Sequence, residues 1–215
     1  METSQLVIYL AGNIQKEHEK ESTIFWSEKD QQRLAEELSS CELTLLNPAI
    51  RSDDISDSHS VFGRDMTQVF FSDLVLVDAR ERRGLGVGAE MMWAKMHQIP
   101  VVTLASENTH YKRDELTMLG IKVKNYVHPF VESLSDDIIH DMQELAGWLK
   151  KYLRGDVKIK GPEAMSKAML YYQETQMMRD IPMQELLEKN SKLKAEIDTF
   201  RSTGVLQSGN LVDAR

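Results

Sequence analysis

Short apolar runs that alternate with helical periodicity constrain this chain more than any other feature. Gln5-Leu6-Val7-Ile8-Tyr9-Leu10-Ala11 is nearly continuous and stops at Gly12-Asn13, and Glu42 to Leu46 is a second run, closed by Asn47-Pro48. Leu74 to Val77 and Pro100 to Leu104 are a third and a fourth. Such runs, bounded by turn signals, have the profile of strands buried on both faces. Between them, Ser27 to Leu38 reads as a capped helix, Val61 to Phe71 as a second and Ala89 to His97 as a third. Tyr111 to Leu119 reads as a short helix ended by Gly120, Ile121 to Val127 as a fifth strand, and Ser135 to Leu153 as a longer amphipathic helix. Alternation of this kind predicts an α/β fold: a doubly wound, Rossmann-like or flavodoxin-like, five-stranded parallel sheet covered on both faces. Ligands of such sheets bind beyond the carboxyl ends of the strands.

The character changes after Gly155, so the expected division is an α/β domain over 1–155 and a helical C-terminal appendage over 156–215. Gly161-Pro162 opens one helical stretch and Pro182 another. In the latter, Met183, Leu186, Asn190, Leu193, Ile197 and Phe200 are spaced 3, 4, 3, 4, 3, which reads as a short coiled coil with Asn at an a position or as a helix packed on a domain. The tail from Ser202 is polar and reads as loosely held.

A net charge of −8 over 215 residues argues against a nucleic-acid polymer or an anionic membrane as the main partner. Arg80, Arg82 and Arg83 nevertheless form a local basic cluster, readable as a phosphate site or as solvated loop charges. The single cysteine, Cys41, the lack of a long apolar run and the absence of a charged-then-apolar leader give the expectation of a cytoplasmic protein without membrane contact. His97, His128 and His140 lack metal-ligand spacing and His59 reads as an exposed loop residue, so neither metal nor cofactor is expected.

The chemistry-bearing stretch is Arg82-Arg83-Gly84-Leu85-Gly86-Val87-Gly88-Ala89-Glu90, between the third strand and its helix. Alternate glycines let backbone approach a ligand, and a helix start offers free N–H groups. Glu90, expected in the first helical turn, reads either as a dipole partner or as a nucleophile at the mouth of a site. Tyr9, the loop Gly12 to Gln15, and Arg64 and Asp65 should converge on the same strand ends, whereas Asp73 falls at the opposite edge.

Val7-Ile8-Tyr9-Leu10-Ala11-Gly12, Arg64-Asp65-Met66 with Ser72-Asp73-Leu74-Val75-Leu76, and Gly86-Val87-Gly88-Ala89-Glu90 resemble, in order and spacing, the motifs of the nucleoside 2-deoxyribosyltransferase superfamily. The glycine-valine-glycine-x-glutamate form is most similar to the 2'-deoxynucleoside 5'-phosphate N-hydrolases and related nucleotide N-glycosidases. The resemblance covers about residues 5 to 105. It implies that Glu90 is a catalytic glutamate forming a covalent glycosyl-enzyme, that Asp65 assists departure of the base, and that Tyr9 orients the nucleophile. It further implies that Asn13, Ile14, Gln15, Gly86 and Gly88 contact substrate; Gly12, Asn47, Arg64 and Arg83 are further candidates for binding it, although arginines before the glycines are a departure from the family. The implied activity is cleavage of the N-glycosidic bond of a (deoxy)nucleoside or its 5'-monophosphate, with the sugar passed to water or to another base. A homo-oligomer is also implied. The sequence departs from the family in its bulkier first loop, in Ala89 and in the appendage. A non-catalytic nucleotide-binding sensor that signals through that appendage is the alternative reading.

Such chemistry needs a carboxylate below the sugar and a proton source near the base, because positive charge develops on one and negative charge on the other. Like charges at close range should raise one pKa, which is expected for Asp65.

Overall fold

The structure is a computed structural model that describes residues 5–14, 26–161 and 163–203. Gln15, expected to contact substrate, lies outside the described residues, as does most of the tail from Ser202. The chain divides into two compact units, Met1–Lys160 and Gly161–Arg215.

The first unit is built on a five-stranded parallel sheet of β1 (Gln5–Ala11), β2 (Glu42–Leu46), β3 (Leu74–Asp78), β4 (Val101–Leu104) and β7 (Asp137–Ile139), in the order β2-β1-β3-β4-β7. Every pairing in it is parallel; Tyr9 lies opposite Leu46 on one side and Val75 on the other. Side chains alternate across the sheet. Leu6, Ile8, Leu10, Leu74, Leu76, Val102, Leu104 and Ile139 pack with Leu34 and Leu38 of α1 (Glu28–Glu37) and its flank, and with Leu145, Trp148 and Leu149 of α5 (Met142–Leu153). The other face, which includes Tyr9, is covered by α2 (Ser58–Phe70), α3 (Leu85–Met96) and α4 (Pro129–Leu134). The expected α/β class, parallel sheet and helical C-terminal stretch are therefore present.

Ser27 caps α1 through a reciprocal capping box with Asp30. Asp73 sits at the amino edge of the sheet, where its carboxylate accepts from the Val7 N–H at 2.7 Å. Cys41 is buried, with its thiol on the Leu38 carbonyl.

Three elements differ from the sequence reading. Residues 111–119 are not a helix: Lys112–Met118 (β5) and Ile121–Val127 (β6) form a separate antiparallel hairpin. Its two-residue turn, Leu119-Gly120, has both φ angles positive, 50° and 79°, so Gly120 ends a strand and not a helix. Accordingly Ile121–Val127 is a strand outside the main sheet, and the fifth parallel strand is the three-residue β7. The stretch read as one helix from Ser135 holds β7 and α5, separated at Asp141, whose carboxylate caps Gln143 and Glu144.

The third difference is the start of α3. Gly84 is its extended N-cap, so Gly86 and Gly88 belong to the first turns and Glu90 to the second. Val87, Glu90, Met91, Ala94 and Lys95 then form the buried stripe at i, i+3, i+4, i+7 and i+8. Two charged residues thus occupy positions that ordinarily take apolar side chains. Lys95 is compensated by Asp136, which also accepts from the backbone N–H groups of Val101 and Lys160, each at 2.6 Å.

The second unit contains α6 (Glu163–Thr175), a 3-10 turn at Met177–Arg179, α7 (Ile181–Lys189) and α8 (Ser191–Thr203). The coiled-coil reading fails at Asn190, which leaves the helical region at φ −135° and ψ 88° and caps α8 by accepting from Leu193 N–H at 3.0 Å. An Asn that reads as a buried heptad position is instead a helix break.

Candidate active site

Tyr9 is the last bulky side chain of β1 facing α2 and α3, and it is fully buried. Its hydroxyl donates to Glu90 Oε1 at 2.8 Å, across 81 residues of sequence. The second carboxylate oxygen of Glu90 is buried without a hydrogen-bond partner among the described residues. A buried orphan acceptor on a carboxylate is costly for a structural group and points to a site that completes itself with ligand.

Glu90 and Asp65 line one cleft of about 380 Å³, walled by Ile55, Val61, Phe62 and Met66 and by the backbone at Gly86. Trp93 of α3 donates its indole N–H to the Met66 carbonyl at 3.1 Å, which fixes α2 against α3 and so Asp65 relative to Glu90. Gly86 meets the cleft with nothing within 4 Å of where a Cβ would stand.

The two carboxyls sit in different fields. Burial pushes Glu90 up to about 7, the Tyr9 hydrogen bond pulls it back, and the Asp65 charge adds to the rise. Asp65 is also raised by burial, but Arg51 and Arg64 oppose the rise. Arg64 lies 3.2 Å and Arg51 3.8 Å from its oxygens. Both carboxyls are thus raised above their ordinary values, Asp65 as expected and Glu90 with it, and two guanidiniums at Asp65 hold its rise in check. Tyr9 is raised by burial and by the two carboxylates, so it stays a neutral donor.

This field has a stability consequence. Glu90 binds its proton more tightly folded, at about 7, than at its ordinary 4.5, so its contribution is complete below about 4.5 and is lost as pH rises through about 7. Glu90→Gln is expected to leave the denaturation midpoint nearly unchanged at pH 4.5 and to stabilise the protein at pH 8.5, by up to about 3 kcal/mol at roughly 1.4 kcal/mol per pH unit. Equal effects at both pH values, measured by urea titration, would contradict the buried-carboxylate account.

The remaining expected residues are distributed more widely. Arg64 is committed to Asp65, Asp53 and the Ile50 carbonyl. Asn47 is buried in a turn where its side-chain oxygen accepts from Ala49 N–H at 2.9 Å. Gly12 is tight for a different reason than ligand approach: a Cβ there would stand 3.1 Å from the Trp26 ring. Trp26 donates to the Ala11 carbonyl at 3.0 Å. Asn13 is half-buried and Ile14 exposed, and neither lines the Glu90 cleft.

The arginine cluster is mostly internal. Arg80 bonds Asp78 and Asp30 and lies over the Trp26 ring, 5.5 Å from its centroid. Arg83 is only 2% exposed in its side chain and pairs with Asp78 at 3.0 Å. Together with Gly88 it lines a second cleft that does not include Glu90. His59 is fully exposed. Among the described residues no three metal-ligating side chains cluster, and no helix is long and apolar enough to cross a membrane. Arg51, Ile55, Phe62 and Trp26 carry no motif and were not among the expected site residues.

No family model matches the chain, and no curated protein matches it. Among solved structures, it is similar to a 2-deoxyribosyltransferase from the psychrotolerant bacterium Bacillus psychrosaccharolyticus, at 12% identity and a TM-score of 0.49, over 72% of this chain and 98% of that one.

Proposed function

We propose that the Glu90 cleft cleaves the N-glycosidic bond of a (deoxy)nucleoside or its 5'-monophosphate, with Glu90 as nucleophile. The observation that carries this reading is the buried Tyr9–Glu90 hydrogen bond, which leaves one carboxylate oxygen unpartnered in a cleft shared with a second carboxyl. Motifs along the chain that resemble the nucleoside 2-deoxyribosyltransferase superfamily support the choice of bond.

The ionised oxygen of Glu90 attacks the anomeric carbon as the C–N bond breaks, and the electron pair leaves with the base. Asp65, in its acid form, gives the departing base a proton. Positive charge building on the sugar stabilises ionised Glu90, which draws its pKa down from about 7 as the transition state is approached. Water, or a second base, then attacks the glycosyl ester and returns Glu90. Asp65 takes the proton of the entering nucleophile, as reversal of its first role requires. Tyr9 holds the carboxylate in line and, as a donor, favours its charged form.

Attack needs Glu90 ionised while the pair's remaining proton sits on Asp65, so the rate should be bell-shaped in pH and fall as that proton is lost above about 7. Tyr9→Phe removes the bond that pulls the Glu90 value down. It is expected to move the bell to higher pH and to reduce the rate at pH 7 by about tenfold, the equivalent of one charge-assisted hydrogen bond. An unmoved bell would show that Tyr9 acts only in packing.

The activity test is release of free base from ribo- and deoxyribonucleosides and their 5'-monophosphates, with and without a second base, on the native protein and on Glu90→Ala. Release that disappears in the variant supports the reading. Equal binding by both proteins with no turnover of any substrate removes it in favour of a sensor.

A further inference from the structure

The segment between β2 and α2 holds neither helix nor strand, yet it supplies a wall of the Glu90 cleft through Ile55. Arg51 and Asp53 of the same segment meet Arg64 and Asp65 of α2.

These four charged side chains form a closed ring. Arg51 lays the fork of its guanidinium on Asp53, with Nε 2.9 Å from Oδ1 and Nη2 2.6 Å from Oδ2. Its remaining nitrogen, Nη1, faces Oδ2 of Asp65 at 3.8 Å, beyond hydrogen-bond distance. Arg64 closes the other side: Nη1 donates to Oδ1 of Asp65 at 3.2 Å, Nε lies 3.7 Å from Asp53, and Nη2 donates to the Ile50 carbonyl at 2.8 Å. Each oxygen of Asp65 therefore has its own guanidinium, and Asp53 competes for both. None of the four side chains is more than 20% exposed, so water screens these pairs only weakly.

Two cations beside Asp65 favour its ionised form, and an ionised Asp65 has no proton to give a departing base. The two-nitrogen pair with Asp53 is the stronger of the two that Arg51 makes, and its planar geometry turns the guanidinium away from Asp65. Burial raises Asp65, Arg51 and Arg64 lower it, and the Asp53 charge adds to the rise. The charged and titratable groups facing Asp65 among the described residues are Arg51 and Asp53 from the loop, Arg64 from its own helix, Glu90 from α3 and Tyr9 from β1.

We propose that Asp53 is a positioning residue for the proton of Asp65: by holding Arg51 and drawing on Arg64 it keeps both cations off the carboxyl, which can then take up the proton that a leaving base receives. The use of that proton rests on the reading of the Glu90 cleft given above. Without the Asp53 charge, Arg51 is free to close the 3.8 Å gap into a hydrogen bond and fix Asp65 as a carboxylate.

The test has two arms. In the first, the labelled side-chain carbon of Asp65 is titrated by NMR in the full chain carrying Glu90→Gln, which removes the coupled titration of the second carboxyl. Adding Asp53→Asn, which keeps the shape of Asp53 and an acceptor for Arg51, is expected to lower the Asp65 midpoint by about one pH unit, a tenfold change in proton affinity. Adding Arg51→Gln is expected to raise it by about as much. In the second arm, base release is measured with Glu90 intact at about pH 8.5, where the fraction of pairs with the proton on Asp65 follows its proton affinity. Asp53→Asn should slow release by at least about threefold and Arg51→Gln speed it by about as much, with KM held within about twofold, since acid strength offsets part of the change in population. Damage to the loop alone would slow both variants. An Asp65 midpoint that stays in place in both variants, or moves the same way in both, overturns the proposal even where the native protein releases base. Midpoints that move apart in a chain that releases no base from any substrate overturn the glycosidic reading and leave the control of Asp65 by Asp53 standing.

Discussion

Glu90→Gln is expected to abolish base release, by at least about 10³-fold, while the protein folds and still binds substrate. Gln keeps the shape of Glu90 and can accept the Tyr9 hydrogen bond, so the 2.8 Å contact survives. What is lost is the only group placed to form a covalent bond with the anomeric carbon, and removal of a covalent nucleophile costs on this scale or more. The loss should appear in kcat, with KM little changed, because the attacking oxygen contributes to the transition state and not to ground-state affinity. Steady-state kinetics on the two proteins, side by side, decides it. A fall below tenfold would mean that Glu90 is a positioning group.

Asp78→Ala is expected to be the most destabilising single change in the first unit, at about 3–5 kcal/mol, a large part of a domain's usual 5–15 kcal/mol. Asp78 is completely buried and accepts from Arg80 at 2.9 and 3.0 Å through Nε and Nη2, while Arg83 Nη2 lies 3.0 Å away. Burial alone would push its pKa up, but Arg80 and then Arg83 outweigh burial and hold it below the usual range. Removing the carboxylate leaves a guanidinium that is 2% exposed with no counter-charge, and that is where the energy goes. Asp78→Asn keeps the volume and part of the bonding, so its loss should be smaller. Denaturant unfolding measures both; a loss under about 1 kcal/mol for Ala would show that water solvates the arginines instead.

The contrast between Asp78 and Glu90 shows how far the residues could be read in advance. Both carboxylates stand at the carboxyl end of the same strand-helix unit. Glu90 was legible because it follows alternate glycines between a strand and a helix and closes the last of the motifs that carry the resemblance. Asp78, at the end of a run of buried strand residues, looked like an ordinary boundary. Its partners Arg80 and Arg83 looked free because a pairing two and five residues away is decided by side-chain direction, which spacing in a loop does not report. At the carboxyl ends of β1 and β3, Trp26 bonds the Ala11 carbonyl and Arg80 joins Trp26, Asp30 and Asp78, a cluster that carries no motif.

β1, β3 and β4 were legible as buried strands from their continuous apolar runs, since a parallel sheet with helices on each side hides such runs, whereas the edge strand β2 has the same profile and is partly exposed. Lys112–Met118 was not, because Lys112, Glu115 and Leu116 favour helix and Asp114 disfavours strand, and the decisive information is the paired positive φ at Leu119 and Gly120. Nor was β7 legible: at three residues it is too short for an alternation signal, and its partner β4 selects it. Gly86 and Gly88 misplaced the start of α3 for a similar reason, because glycine lowers helix propensity without forbidding helix. Tyr9, Asp65, Gly86 and Glu90 meet around one cleft, while Arg83 and Gly88 fall on the opposite flank of α3.

The most direct measurement of the central claim is the mass of the enzyme during turnover. The native protein is incubated with a 2-fluoro-substituted deoxynucleoside, which slows hydrolysis of a glycosyl ester more than its formation, then acid-quenched, weighed intact and mapped by peptide. Glu90 as nucleophile requires a stoichiometric increase equal to the sugar, carried by the peptide that contains Glu90. Free base released with no adduct, or an adduct on a peptide without Glu90, would contradict it.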